Sequence, residues 1–294
     1  MHFNYNKFLG FSFSSLLTYY FQTKFEILKY YLKFILPNRK ILKETIKIKN
    51  SKKGKKVFIF GSGPSMNLID PEKISNLVKQ EGYEVIALNS FLYSEFANYI
   101  KPNYMVFSDP LDFIEVPDTH PRFKRSIDGK IDKRKAINNN IPLFIPINFY
   151  KHSKKDHGKV YYFNDSCDYF SQKIDLLKPR QFKTFTGLKA IACGVYMGYD
   201  EIYICGFDYD SFKKTVVDIN NEIIHEFGHY YESENRPNHF VHVKRSFGSH
   251  LYDCALVFIQ HDKFKKYNIT NLNKLSFIDS FKKKHNLDVY LKKD

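Results

Sequence analysis

The sequence predicts an α/β architecture, a parallel sheet with helices on both faces, preceded by a basic arm. Three observations predict it. Apolar runs of strand length at residues 57–60 (VFIF), 84–89 (EVIALN) and 104–109 (YMVFSD) each end near a polar residue and give way to a helical stretch, the pattern of right-handed βαβ units. A small-residue stretch at 186–199 (TGLKAIACGVYMGY) suits a helix packed closely on a sheet, and EIYICGFD (201–208) follows it as another central strand. The 294 residues, 43% hydrophobic and 17% aromatic, are ample for a sizeable core and too apolar for a disordered chain. No heptad or solenoid period recurs. The four cysteines form no C-x-x-C pair, so neither a disulfide framework nor a zinc knuckle is expected, and a reducing, cytoplasmic setting fits.

Taken in order, the first strand runs into Gly61-Ser62-Gly63-Pro64-Ser65, and a helix near 71–80 begins on Pro71 with Glu72 beside it. A second helix is expected near 91–100. Residues 117–140 are polar and basic and read as a loop or lid. LFIPINF (143–149) and VYYF (160–163) read as further strands, with Pro146 restricting the first to an edge or end position. The polar stretch 209–247 carries His225, His229, His239 and His242 and reads as a lid. A helix near 249–266, a short strand around 269–272 and a final helix close the chain.

The net charge of +15 points at first to nucleic acid. Its distribution points elsewhere. Residues 1–56 hold thirteen Lys/Arg and two Glu, a net of +11, while the remaining 238 residues carry 33 basic and 29 acidic side chains, a net of +4. The arm is also apolar, but its longest uncharged run, residues 8–23, is 16 residues with five Ser/Thr side chains and a Gln, short of the roughly 20 apolar residues that span a bilayer. From Leu16 onward a helix would carry Gln22, Glu26, Lys29 and Lys33 as one narrow polar stripe among Leu, Ile, Phe and Tyr, followed by a Lys-rich segment. This is the pattern of an interfacial helix with a polybasic tail, which binds an anionic membrane surface; a helix packed on its own domain with solvated lysines is the alternative. The division expected is an arm over residues 1–54 and a body over 55–294. Removing residues 1–50 should then leave the body active.

In sheets of this kind ligands bind at the carboxyl ends of the strands. Gly61, Ser62, Gly63 and Ser65 could let backbone approach a phosphate, or form a tight strand–helix turn; no third Gly and no GK[ST] follow. Asn89, the Ser108-Asp109 pair and Thr186-Gly187 stand at neighbouring strand or helix ends, as ligand contacts or as helix caps. Asp208-Tyr209-Asp210 has the D-x-D form that holds a divalent cation, a form common by chance, and no metal is expected to be required. His229, His239 and His242 are candidates for a general base, since a neutral imidazole titrates near physiological pH. The His239/His242 spacing alone completes no metal set.

The segments VFIFGSGPSMNLID, VIALNSF, VFSDP and above all TGLKAIACGVYMGYDEIYICGFDYD resemble the bacterial sialyltransferases of glycosyltransferase family 42 and a related group of envelope-polysaccharide proteins, over about residues 55–285. That resemblance implies a Rossmann-like, GT-A-like single nucleotide-binding domain with a lid at 209–247, transferring an acidic sugar with inversion from a CMP-sugar to a glycan hydroxyl. It implies that Gly61, Ser62, Gly63 and Ser65 line the nucleotide phosphate, that Asn89 and Asp109 contact phosphate and ribose, and that Thr186-Gly187 contacts nucleotide or sugar. Asp208 would be structural or touch the sugar. A lid histidine (His229, His239 or His242) would be the base, with Tyr230, Tyr231 or Tyr209 assisting departure of CMP. The chain departs from the family in having Gly-Ser-Gly for Gly-Asn-Gly, Asp109 for Asn, and Asp210 for Tyr, so another sugar acid on CMP, such as Kdo or a bacterial nonulosonate, stands beside sialic acid as the donor. The implied partners are the nucleotide-sugar, a glycan or lipid-linked glycan acceptor, an anionic membrane at the inner face of the cell membrane, and a second copy of the chain in a homo-oligomer; nucleic acid is not among them. The rivals are a Mg-dependent, pterin diphosphokinase-like enzyme, in which Asp208 and Asp210 would hold the cation, and a nucleic-acid-binding protein using the arm.

Overall fold

The computed structural model describes residues 13–119, 123–154, 158–168, 171, 174–180, 185–227, 239–243 and 246–283. Eleven strands run in chain order among them: β1 (Lys56–Phe60), β2 (Glu84–Leu88), β3 (Tyr104–Val106), β4 (Leu143–Pro146), β5 (Val160–Phe163), β6 (Glu201–Cys205), β7 (Thr215–Val217), β8 (Ile223–Phe227), β9 (His239–Val243), β10 (Ile269–Asn271) and β11 (Lys282–Lys283). Eight form one sheet in the order β11-β10-β6-β1-β2-β3-β4-β5, every pair parallel. The chain builds outward from β1 to β5, then returns to the other side of β1 with β6. That reversal opens a crevice at the carboxyl ends of β1 and β6, where open α/β sheets hold their ligands.

Strand alternation divides the core in two. Val57 and Ile59, Ile86 and Leu88, and Ile202 and Ile204 enter one apolar cluster. Phe58 and Phe60, Val85 and Ala87, and Tyr203 and Cys205 enter the other. Because both faces are covered, each strand reads as a continuous apolar run.

The helices, in chain order, are α1 (Phe13–Tyr30), α2 (Arg39–Lys47), α3 (Pro71–Gln80), α4 (Phe123–Asn138), the single turn α5 (Tyr150–Ser153), α6 (Thr186–Met197) and α7 (Phe247–His261). The carboxylate of Asp70 caps α3 on the N–H groups of Glu72 and Lys73. Helix α6 buries Leu188, Ala190, Ile191, Cys193 and Met197 in the first cluster; its small side chains allow the close approach that the sequence indicates. On the opposite face lie Ile74 of α3 and Ala136 of α4.

Several elements differ from expectation, each for a physical reason. The helix expected near 91–100 is two 3-10 turns, Asn89–Tyr93 and Glu95–Asn98. Between them the Ser94 hydroxyl donates to the Phe91 carbonyl at 2.6 Å, competing with helix continuation. Residues 117–140 contain α4 rather than only loop; its buried positions 126, 129, 132, 133 and 136 are Ser, Gly, Asp, Lys and Ala, so helical spacing is present without an apolar signal. Pro146, by contrast, takes the end position expected of it, as the last residue of β4, while β4 itself is an interior strand between β3 and β5. The segment 209–247 is not only loop: its described residues include an antiparallel sheet, β7-β8-β9. The final helix expected after the last strand lies outside the described residues.

The arm enters the body. Ile35 in the π-helical turn Tyr31–Ile35, and Leu42 of α2, join one core cluster, and Ile48 joins the other. Strand β5 is one of the two edges of the sheet, and the buried Thr45 hydroxyl of α2 donates to the Tyr162 carbonyl of β5 at 2.7 Å. Helix α2 thereby covers an edge that would otherwise present unpaired backbone groups.

Candidate functional site

At the crevice, the loops leaving β1 and β6 are locked together. The N–H of Gly61 donates to the Cys205 carbonyl at 2.6 Å and that of Gly63 to the Gly206 carbonyl at 2.9 Å. A Cβ on Gly63 would lie 1.8 Å from Asp208 Oδ2 and 2.7 Å from the Gly206 carbonyl oxygen, so no larger residue fits there. Asp208 is the clasp. Its Oδ1 accepts from the Ser65 N–H at 3.2 Å and from the Asn273 amide at 2.7 Å, and its Oδ2 accepts from the Ser65 hydroxyl at 3.0 Å. Burial pushes the Asp208 carboxyl above its usual range, and the Ser65 hydroxyl and N–H oppose that shift. The Ser276 hydroxyl adds a bond to the Phe207 carbonyl at 2.6 Å.

These bonds revise two expectations. The N–H groups of Gly61, Gly63 and Ser65 point into the protein's own loops, and the element after the loop is a 3-10 turn, Pro64–Leu68, rather than a helix end offering free donors. The tight-turn reading of Gly-Ser-Gly-Pro-Ser describes this geometry. Asp208 joins three loops through both carboxylate oxygens, which leaves it poorly placed to hold a cation with Asp210. Among the described residues no group of three or more His, Cys, Asp or Glu side chains gathers as a metal site.

The uncommitted groups lie on the neighbouring elements. Asn89 follows β2 with a left-handed backbone (φ 37°), and its buried Oδ1 has no hydrogen-bond partner among the described residues. Left-handed backbone at a non-glycine residue costs about 1–3 kcal/mol and tends to persist where function requires it. Phe185 (φ 40°) and Tyr209 (φ 52°) also have positive φ, their rings 6.1 Å apart. Helix α6 starts between them. Phe185 at its cap position supplies no side-chain acceptor, so the N-terminus carries its dipole and backbone donors without a side-chain cap. A Cβ on Gly187 would be 2.7 Å from the Phe207 ring and 3.0 Å from the Tyr209 hydroxyl. The buried Ser108 hydroxyl lies 2.8 Å from that of Thr186, tying the end of β3 to α6. Asp109, next along, accepts from the Leu111 N–H at 3.0 Å as a cap.

The structure therefore brings Gly61, Gly63, Ser65, Asp208, Tyr209, Gly187, Thr186 and Ser108 into one continuous chain of contacts, with Ser62, Asn89 and Asp109 on the same strand ends. His239 and His242 lie on β9, whose register with β8 sets Phe227 opposite His239 and Ile224 opposite His242. His229, Tyr230 and Tyr231 lie outside the described residues.

Other residues escaped sequence reasoning. Lys189, one turn into α6, is buried; its ammonium lies 3.2 Å from the Asp165 carboxylate, which also lies 3.0 Å from Arg180. Burial pulls the Lys189 ammonium down to about 8, with Asp165 opposing. A lone charge in a helix of small apolar residues was the available signal. His261 of α7 is fully buried with its ring centroid 4.8 Å from that of Tyr209, and burial lowers its pKa to about 4. Asn273 and Ser276 follow a three-residue strand, a strand end too short to stand out. Nothing in the sequence marks Phe185.

No protein-family profile matches the chain, and no curated protein matches it. Among solved structures, the MAf glycosyltransferase from Magnetospirillum magneticum AMB-1 superposes with a TM-score of 0.48 at 16% identity, over 82% of this chain and 35% of that one. The chain thus spans little more than a third of that protein's length. The sialyltransferase CstII from Campylobacter jejuni in complex with cytidine-5'-monophosphate gives 0.41 at 17% identity, over 79% of this chain and 85% of that one. The same sialyltransferase with CMP-3FNeuAc gives 0.43 at 16%, over 82% and 89%.

Proposed function

We propose that the chain is an inverting glycosyltransferase that moves an acidic sugar from a CMP-sugar to a glycan hydroxyl in cell-surface polysaccharide synthesis. One observation carries the reading: the buried, unpartnered Oδ1 of Asn89, held on a strained backbone at the end of β2, at the same end of the sheet as the α6 N-terminus without a side-chain cap. A strand-end cleft with one acceptor waiting and one set of backbone donors suits a nucleotide monophosphate. The resemblance of the segments around Asn89, Asp109 and Thr186 to CMP-sialic acid users supplies the choice of base and sugar.

In this reading the Gly61–Ser65 loop, held by Asp208, forms the wall of the cleft. Asn89 Oδ1 accepts from a donor hydroxyl or amine, Asp109 contacts the ribose, and Thr186, Gly187 and their helix end face the phosphate. The acceptor hydroxyl attacks the anomeric carbon on the face opposite CMP. Its proton passes to an imidazole of the lid (His229, His239 or His242), the anomeric carbon–oxygen bond to the phosphate breaks, and CMP leaves with the bonding pair. The α6 dipole and a tyrosine hydroxyl, Tyr230 or Tyr209, stabilise the departing phosphate charge. A monophosphate leaving group needs no divalent cation for this. The enzyme would work at the inner face of the cell membrane, bound to anionic lipid through the arm.

Replacing His229, His239 and His242 by Ala in turn tests the base. One variant should lose about 10²–10⁴-fold in kcat with KM for the donor little changed. Three variants with full turnover would exclude a lid histidine.

A further inference from the structure

Helix α1 meets the body along one face only, and Gln22, Glu26 and Lys29 of its polar stripe are exposed. Thr23 is buried, and Lys24 Nζ lies 2.6 Å from Asp168 Oδ2. The Tyr30 hydroxyl donates to Asn148 Oδ1 at 3.0 Å and accepts from the Asp165 N–H at 3.1 Å. Turned away from these contacts are Leu17, Phe21, Phe25, Leu28 and Leu32, at 44%, 61%, 62%, 52% and 54% exposure. Their spacing of i, i+4, i+8, i+11, i+15 makes one continuous ridge along the helix. A helix whose inner face is bonded to its own domain and whose large apolar side chains stand in water lacks a partner for that ridge among the described residues.

We propose that this ridge is a membrane-docking surface that lies in the interface of an anionic bilayer and turns the site-bearing end of the sheet towards it. Charge chooses the occupant. From α1 through α2 the chain carries seven Lys/Arg and two Glu, with Lys29, Lys33, Arg39, Lys40, Lys43 and Lys47 exposed, the combination that adds electrostatic attraction to apolar insertion. No helix among the described residues is long and apolar enough to cross a membrane, so α1, about 27 Å long, lies along the surface. Orientation follows from the anchors. Asn148 and Asp165 each follow their strand, β4 or β5, by two residues, so α1 docks at the carboxyl ends of the sheet. The Asn89 and α6 groups open at that same end. On the transferase reading, the acceptor is then a glycan on a lipid carrier held in the bilayer. Docking itself stands without that reading.

The test uses the full chain, without nucleotide, in flotation with vesicles of phosphatidylcholine alone or with about 30 mol % phosphatidylglycerol. The chain should float with the anionic vesicles and be released as salt rises. The triple variant Phe21→Ser, Phe25→Ser, Leu28→Ser should lose at least about tenfold in partitioning while keeping its thermal midpoint, because these side chains are exposed. Equal flotation of variant and parent would overturn the proposal. So would a parent that ignores anionic vesicles, or a parent that sediments as a dimer and a variant that sediments as a monomer, which would assign the ridge to a second copy. Nucleotide affinity measured on both proteins reports on the transferase reading separately.

Discussion

Asn89 concentrates the functional argument in one residue. Its left-handed backbone and buried, unpartnered Oδ1 both disfavour the free protein, and both would be relieved by glycine. Asn89→Gly should therefore raise stability by about 1 kcal/mol while lowering nucleotide affinity about tenfold or more, checked by thermal unfolding and calorimetric binding. A variant that loses stability and keeps affinity would make Asn89 a structural residue. His261 makes a second residue-scale prediction. Its Nδ1 lies 2.6 Å from the Val257 carbonyl in the fully buried interior, and its pKa falls from 6.5 to about 4. The unfolded chain takes up this proton first as pH drops, so stability is lost between about pH 6.5 and 4, by about 3 kcal/mol in all. Urea midpoints at neutral and acid pH should show that slope in the parent and a flatter one in His261→Leu.

The elements that were legible in the sequence are those whose burial is apolar. β1, β2, β6 and α6 could be read because their runs are buried on both faces or lined with small residues. Helix α4 could not, because Ser126, Asp132 and Lys133 occupy its buried positions. The site was half legible for a related reason. Strand ends advertise polar residues such as Asn89, Ser108 and Thr186, but not whether their groups face a ligand or the protein. Hence the G-x-G loop, the most conspicuous motif, has N–H groups bonded to the loop after β6, whereas the α6 start preceded by Phe185 carries the uncapped N-terminus. The arm shows the same limit. Composition set it apart at residue 54, yet Ile35, Leu42 and Ile48 are core residues and Thr45 caps an edge-strand carbonyl. Deleting residues 1–50 should thus remove about 5 kcal/mol of apolar burial, comparable to the whole stability of a domain. We expect that truncation to unfold or aggregate, read by circular dichroism and light scattering; a soluble, cooperative fragment would show the arm to be dispensable.

For the whole molecule, the parallel sheet places two features at one end: the strand ends that carry Asn89 and the α6 N-terminus, and a helix with its apolar ridge turned outward. The charge excess follows the second, not the first, with net +11 in residues 1–56 against +4 in the remainder. Under the proposed function, such a division would let a small soluble donor bind at the strand ends while the acceptor stays in a membrane. Binding of CMP, UDP, GDP and ATP, each with Mg²⁺ and with chelator, tests the central claim most directly. CMP should bind in chelator at least about tenfold more tightly than the other three. No preference for CMP, or binding that appears only with Mg²⁺, would contradict the proposed function.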